Sequence, residues 1–197
     1  MPPSGDSYHH GNLADACLRA ARELLEEDGG AALSLRAVAR RAGVSPTAPY
    51  RHYADRDALV SAVAAQGYRE LAEHLTAAHP APTTPDDLAA VAVAYVDFAL
   101  EHPALFRTMF AEPCDPTSAD RVSAIAAVSA YLGTIVQQAF TSTDPDALAT
   151  AIWALVHGLA FLHLDSKLAT TTPGAVANQV RAAVHALLSA SVAATTS

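Results

Sequence analysis

The chain has 197 residues, of which 51% are hydrophobic and 16% charged; this excludes a disordered polymer and allows one or two domains with a proper core. Two cysteines, Cys17 and Cys114, exclude a disulfide framework, and no cysteine spacing suits a zinc site, so no metal and no cofactor is expected. The formal net charge of −8 opposes attraction to phosphate by the chain as a whole.

The charge is unevenly placed. Residues 1–56 hold seven Arg and seven acids, so the whole surplus lies in residues 57–197. Within Ser34–Tyr53 there are four Arg and no acid. An acidic body is repelled by phosphate while this short stretch is attracted, which favours one docking orientation. The N-terminus lacks a basic region followed by an apolar core, so no signal peptide is expected, and the chain is expected in the cytoplasm.

In chain order, almost nothing alternates with period two, and turn signals separate helical stretches. Residues 1–11, including Tyr8-His9-His10-Gly11, read as an N-terminal arm. A first helix is expected over Asn12–Asp28, with Leu13, Cys17, Ala20/Ala21, Leu24 and Leu25 at helical spacing and Gly29–Gly30 as its stop. Ser34 caps a second helix to about Arg41, Gly43 turns the chain, and Ser45 caps a short third helix to about Tyr53. Asp55 caps a long fourth helix to about Ala77. His79–Thr84 is a Pro-rich break and the expected joint between residues 12–56, extended by the helix to about 77, and a second part, 78–197. Further helices are expected near Pro85–His102, Pro103–Phe110, Thr117–Phe140, Asp144–Lys167 and Pro173–Ala193; Thr84-Pro85, Asp144-Pro145 and Thr172-Pro173 each set a cap residue before Pro at the first helical position. The reading is all-α, about nine helices. Ala147–Leu164 has no charged residue and meets the lower length limit of a membrane span. It carries His157 and His163 and lacks a flanking Lys/Arg cluster, so a fully buried core helix is expected and no membrane partner.

The segment SLRAVARRAGVSPTAPYRHY reads as a helix-turn-helix. Leu35, Val38 and Ala39 can face inward while Arg36, Arg40 and Arg41 face out. Gly43 sits where the turn needs an unusual backbone angle, and Val44 plugs the junction. Ser45 caps the next helix and Pro46 takes its first position. A helix entering the major groove presents its N-terminal residues to base edges, so Thr47 and Ala48 are candidate base contacts. Tyr50, Arg51 and His52 follow with donors for phosphate. Pro49 removes an amide in the first turn of this helix, which is expected to start tightened or shifted.

The stretch HGNLADACLRAARELLEEDGGAALSLRAVARRAGVSPTAPYRHYADRDALV resembles the DNA-binding domain of the TetR family of bacterial regulators. The resemblance covers three helices and the start of the fourth. It implies a homodimer on a double-stranded, pseudo-palindromic DNA operator, one recognition helix per subunit, and repression relieved by a small ligand. It also implies that Thr47 and Ala48 read bases, that Tyr50 and His52 hold phosphates, that Arg56 matches a basic residue at the start of the fourth helix, and that Ser34 caps a helix whose amides touch phosphate. Pro49 departs from the family's usual Leu.

In the second part, Trp153-Ala-Leu-Val-His157-Gly158 resembles the Trp-x-x-x-His-Gly signature of one class of TetR-family C-terminal domains. Trp153, His157, Ala160/Phe161 and Leu164 share a helical face. Together with Tyr95, Phe98, Phe106, Met109 and Phe110 they are expected to line a cavity for a small apolar or amphipathic ligand, with Tyr95 and His157 as polar handles; the plainer alternative is that they fill the core. Val176, Val180, Val184 and Leu187/Leu188 form an apolar stripe, and this helix and the unusually apolar helix before it are expected to pair with their symmetry mates in a two-fold four-helix dimer interface. No Gly-rich phosphate loop, HExxH, GxSxG or carboxylate pair is present, so no enzyme is expected. A redox role for Cys114 lacks a basic or resolving neighbour in sequence. The remaining alternatives are a DNA-binding regulator that needs no ligand or works through a protein partner, and, remotely, an all-α enzyme.

Overall fold

In a computed structural model, residues 7–110, 115, 117–139, 144–168 and 172–195 are described. They form eight α-helices and two short 3-10 turns, with no strand among the described residues. Cys114 and Phe140 lie outside them.

The first helix, α1, runs Ser7–Asp28, so the expected arm is helical from Ser7 onward. It buries Cys17, Ala20, Ala21, Leu24 and Leu25, one face at i, i+3, i+4 spacing. It stops at Gly29, whose φ of 76° lies in the region open to glycine. After a 3-10 turn at Gly30–Ala32, α2 spans Leu35–Arg41. The Ser34 Oγ accepts from the Ala37 amide at 3.2 Å, the expected cap. α3 is one continuous helix, Arg56–Ala78, started by Asp55, whose Oδ1 accepts from the Ala58 amide at 2.8 Å.

α4 spans Pro85–Glu101. A reciprocal capping box, Thr84 with Asp87, fixes its start. α5 is Pro103–Phe110, α6 is Ala119–Ala139, α7 is Pro145–Leu164 behind an Asp144 cap, and α8 is Pro173–Thr195.

The helices divide into two compact units: residues 1–68 with 104–124, and residues 69–103 with 125–197. The division therefore falls inside α3, not at the Pro-rich His79–Thr84. The reason is local packing. Phe110 meets the Tyr68 ring edge-on at 5.3 Å, and the Tyr68 hydroxyl donates to the Met109 carbonyl at 3.0 Å. α5 thereby joins the first unit. A Cβ on Gly67 would stand 2.6 Å from Met109 Sδ, so any larger residue there would force the Met109 side chain to shift.

In the second unit α4 is the central helix, packed against α7 and α8 and burying ten of its residues. Val176, Val180, Val184 and Leu188 of α8 are buried within the chain, and α8 packs mainly on α4. This corrects the expectation that Val176, Val180, Val184 and Leu187 meet a symmetry mate: the first three are spent on the chain's own core, and Leu187 is half-buried. α7 is corrected too. It is not a fully buried core helix, since only 33% of its apolar window is buried. By length and composition alone α6 and α7 are each apolar enough to cross a membrane. At the end of α3, the Tyr131 hydroxyl of α6 lies 3.3 Å from the Leu75 carbonyl, which also accepts from the His79 amide, and 2.9 Å from the His79 carbonyl, just past the helix terminus.

Candidate functional sites

The first site is the helix-turn-helix. α2 buries Leu35, Val38 and Ala39. Its exit is a Schellman turn: the Gly43 amide donates to the Arg40 carbonyl at 3.3 Å, the Val44 amide to that of Ala39 at 3.0 Å, and Gly43 has a φ of 68°. The third helix is not an α-helix. The Ala48 amide bonds the Ser45 carbonyl at 2.9 Å and Arg51 bonds Ala48 at 3.1 Å. Both are i to i−3 bonds, and only Pro49–Arg51 is regular 3-10 helix. Pro49 is buried and offers no amide, so the i to i−4 bond back to the Ser45 carbonyl is missing, and the first such bond runs from the Tyr53 amide to the Pro49 carbonyl at 3.0 Å. Ser45 does not cap a helix; its Oγ lies 3.4 Å from Thr47 Oγ1.

Ser45, Thr47, Tyr50 and Arg51 are exposed, Tyr50 by 51%. Arg36 is exposed on α2. Ala48 and His52 are half-buried, and the His52 ring tilts toward Tyr53, centroids 6.3 Å apart. Tyr53 itself is buried, its hydroxyl 3.3 Å from the Ala14 carbonyl, and burial pushes its pKa up to about 12.

Two arginines are used differently from their expected roles. Arg56 turns inward: Nε donates to the Leu33 carbonyl at 3.1 Å and Nη2 to that of Gly30 at 3.0 Å. It clasps the turn between α1 and α2 to the start of α3. Arg41 is exposed like Arg36 and Arg40 but, unlike them, is paired. It pairs with Glu23 at 3.3 Å and, through both guanidinium arms, with Glu27. These hydrogen bonds hold the Glu27 carboxyl below its usual range and raise the Arg41 pKa. The basic stretch therefore presents Arg36, Arg40 and Arg51, which make no ion pair among the described residues, while the charge of Arg41 is met by α1. Glu23 and Glu27 left no sequence signal for this, being 18 and 14 residues away.

The second site is an apolar cleft in the second unit, with about 280 Å³ of empty space. α3 contributes Leu75; α4 contributes Leu88, Val91, Ala92 and Tyr95. Leu132 of α6 and Ile152, Trp153 and Val156 of α7 complete it. Leu132 and Trp153 also wall a second recess of about 420 Å³, lined besides by Ser129, Ala149 and Thr150. Tyr95 Oη lies 3.0 Å from His157 Nδ1 and accepts from Trp153 Nε1 at 3.4 Å. Phe161 stacks edge-on against His157 at 4.9 Å. Burial lowers the His157 pKa and favours the neutral ring.

Of the residues expected to line one cavity, Tyr95, Trp153, His157 and Phe161 come together. Phe98 packs between His74 at 5.7 Å and His102 at 5.0 Å. Phe106, Met109 and Phe110 belong to the first unit, where Phe106 meets Phe110 at 4.8 Å. The aliphatic walls were missed because Leu and Val carry no signal that separates a cleft lining from core.

The chain was compared with known proteins. The family model described as bacterial regulatory proteins, tetR family, matches residues 18–63, and the one described as tetracyclin repressor-like, C-terminal domain, matches residues 88–188. HTH-type transcriptional regulators of Mycobacterium bovis and Mycobacterium tuberculosis are 35% identical over 95 residues, 47% of this chain. That match spans only 40% of the length of these relatives. A solved structure of a protein of unknown function from Rhodococcus sp. RHA1 superposes with a TM-score of 0.77 at 33% identity, covering 91% of this chain and 96% of that one. A bacterial regulatory protein in the tetR family from Rhodococcus RHA1 superposes with a TM-score of 0.67 at 23% identity, over 88% and 95% of the two chains, and shares the fold.

Proposed function

The chain belongs to the TetR family of bacterial regulatory proteins, and from that premise we propose that it is a cytoplasmic, homodimeric DNA-binding repressor released from its operator by a small molecule. The observation that carries the DNA reading is the edge formed by Thr47, Tyr50 and Arg51, exposed on a turn that Pro49 anchors in the core. Thr47 supplies a hydroxyl and a methyl for base edges. Tyr50 and Arg51 supply donors for phosphate. The capped start of α2 offers backbone amides to a second phosphate. Two copies place these edges in successive major grooves, roughly 34–36 Å apart.

The dimer surface is the outward face of α7. Ala147, Ala151, Ala154 and Leu162 are exposed there at helical spacing, and a face of small residues lets a second copy of the helix approach closely. Burial of this face between copies accounts for the apolar character of α7 without a membrane.

The effector site is the cleft at Tyr95 and Trp153. Leu75, on its wall, belongs to the same continuous helix as Arg56. A ligand that binds one position of this helix better than another shifts the reader between two states, and DNA affinity falls by the difference. The narrowness of the cleft favours a second reading, a regulator without an effector, in which no ligand changes DNA affinity.

The test is selection of bound DNA from a random pool, followed by release assays. Enrichment of a two-fold related motif is expected. Recovery of unrelated sequences with uniform affinity would sink the operator reading.

A further inference from the structure

Resting on the effector cleft assigned above, we infer that the effector is an uncharged aromatic molecule carrying one hydrogen-bond donor, and that Trp153 is the gate it displaces.

The charge argument comes first. No Asp, Glu, Lys, Arg or His lines either recess among the described residues. An ion placed there would lose its hydration without a counter-charge, at a cost of several kcal/mol or more. The site therefore rejects charged ligands. The inner walls are aliphatic, with the Tyr95 and Trp153 rings beside them. Such walls suit a flat apolar body.

The donor argument follows from the hydrogen bonds of Tyr95. The indole N–H of Trp153 can only donate, and it donates to Tyr95 Oη at 3.4 Å. With Nδ1 of the His157 ring unprotonated, a neutral form that burial favours, Oη gives its proton to that nitrogen at 3.0 Å. Oη is then an acceptor toward the cleft. A ligand that takes the place of the indole must bring an O–H or N–H to the same oxygen. An ether or carbonyl at that point leaves two acceptors facing each other.

The gate argument is spatial. Trp153 and Leu132 belong to the walls of both recesses, about 280 Å³ and 420 Å³. The inner recess alone leaves only about 20 Å³ for the centre of a water-sized body, far too little for a ligand, whose sites run to roughly 300–1,000 Å³. Turning the indole aside joins the two. Its hydrogen bond to Tyr95, at 3.4 Å, lies beyond the usual N–H to oxygen range and is a weak latch.

Three probes with one ring system separate these statements: 1-naphthol, 1-methoxynaphthalene and 1-naphthalenesulfonate. Their affinities for the full chain, without DNA, are measured by calorimetry. Trp153 is the single tryptophan, so its one indole N–H resonance reports the gate. We expect 1-naphthol to bind about tenfold or more tighter than the other two and to shift that resonance. Tyr95→Phe should bring 1-naphthol down to the level of 1-methoxynaphthalene. Trp153→Phe, which removes the latch and keeps a ring, should tighten 1-naphthol about threefold. This second variant decides the matter if Tyr95→Phe does not fold. Equal binding of the methoxy or sulfonate probe, an unmoved indole resonance, or no binding of 1-naphthol up to millimolar concentration overturns the proposal. Each of those results leaves the operator selection untouched, and a failed selection leaves the probe result standing.

Discussion

The phenolic oxygen of Tyr95 on α4 and Nδ1 of His157 on α7 lie 3.0 Å apart across 62 residues of sequence. Burial holds the His157 pKa below its ordinary value. A histidine depressed in the folded state binds protons more readily when unfolded. Its contribution is therefore fully present above the unfolded pKa of about 6.5 and is lost as pH falls from there through the depressed value. His157→Gln keeps an acceptor for Tyr95 and removes the titration. Thermal melts from about pH 7 to about pH 5 should show the wild type losing more stability than the variant. Parallel profiles would mean that His157 does not carry the effect.

Arg56 holds the carbonyls of Leu33 and Gly30. Hydrogen bonds from a charged donor contribute more than neutral ones, but this side chain is 36% exposed, which reduces the gain. Arg56→Ala should lower unfolding free energy by about 1–2 kcal/mol in urea titration. That loss should appear without DNA. An undiminished stability would mean that these two bonds do not hold the turn.

On DNA, Thr47 and Arg51 should behave differently. Thr47→Ala is expected to change preference at one base position by about 1–3 kcal/mol. Arg51→Ala should weaken all sequences alike and reduce the salt slope by about one. Affinities at several salt concentrations on single-base variants of the selected motif separate the two. A change of base preference from Arg51→Ala alone would exchange the assignments.

Gly67 lies where a Cβ would meet Met109 Sδ at 2.6 Å and Leu105 Cδ1 at 3.0 Å. Gly67→Ala gains helix propensity of about 1 kcal/mol, yet overpacking costs about 1–3 kcal/mol. The net expectation is a loss of about 1 kcal/mol. With Met109→Ala as background the same change should become stabilising, because the obstructing sulfur is gone. Equal effects in both backgrounds would deny the close approach.

Leu162 is 42% exposed on the outward face of α7. Leu162→Glu places a charge in the proposed dimer surface and should yield monomers by light scattering at micromolar concentration. A dimer that survives this change pairs through another face.

Helix existence was legible because α1, α2 and α8 each bury one face at helical spacing, and that spacing is written in the sequence. What covers a face is not. The Val176–Val184 stripe reads as apolar, but only the fold reveals that α4 covers it. Met109 and Phe110 read as lining a ligand cleft because their partners, Gly67 and Tyr68, lie about 40 residues back in the chain. Arg41 read as a free cation because its acids sit on a neighbouring helix, outside any local pattern. The exception is Pro49, whose missing amide is a local property, so the tightened reader could be foreseen from one residue.

The shortness of that turn, three residues of regular helix, limits what the protein can spell. At about 2.0 Å per residue the three regular residues Pro49–Arg51 advance about 6 Å, less than two base steps. A reading edge this short holds few letters of an address. Doubling it in a dimer still leaves a short word among the roughly million or more competing sites of a genome. The rest of the address must be written in the distance between half-sites and in how readily the intervening DNA deforms. For such a regulator, the gap is part of the message.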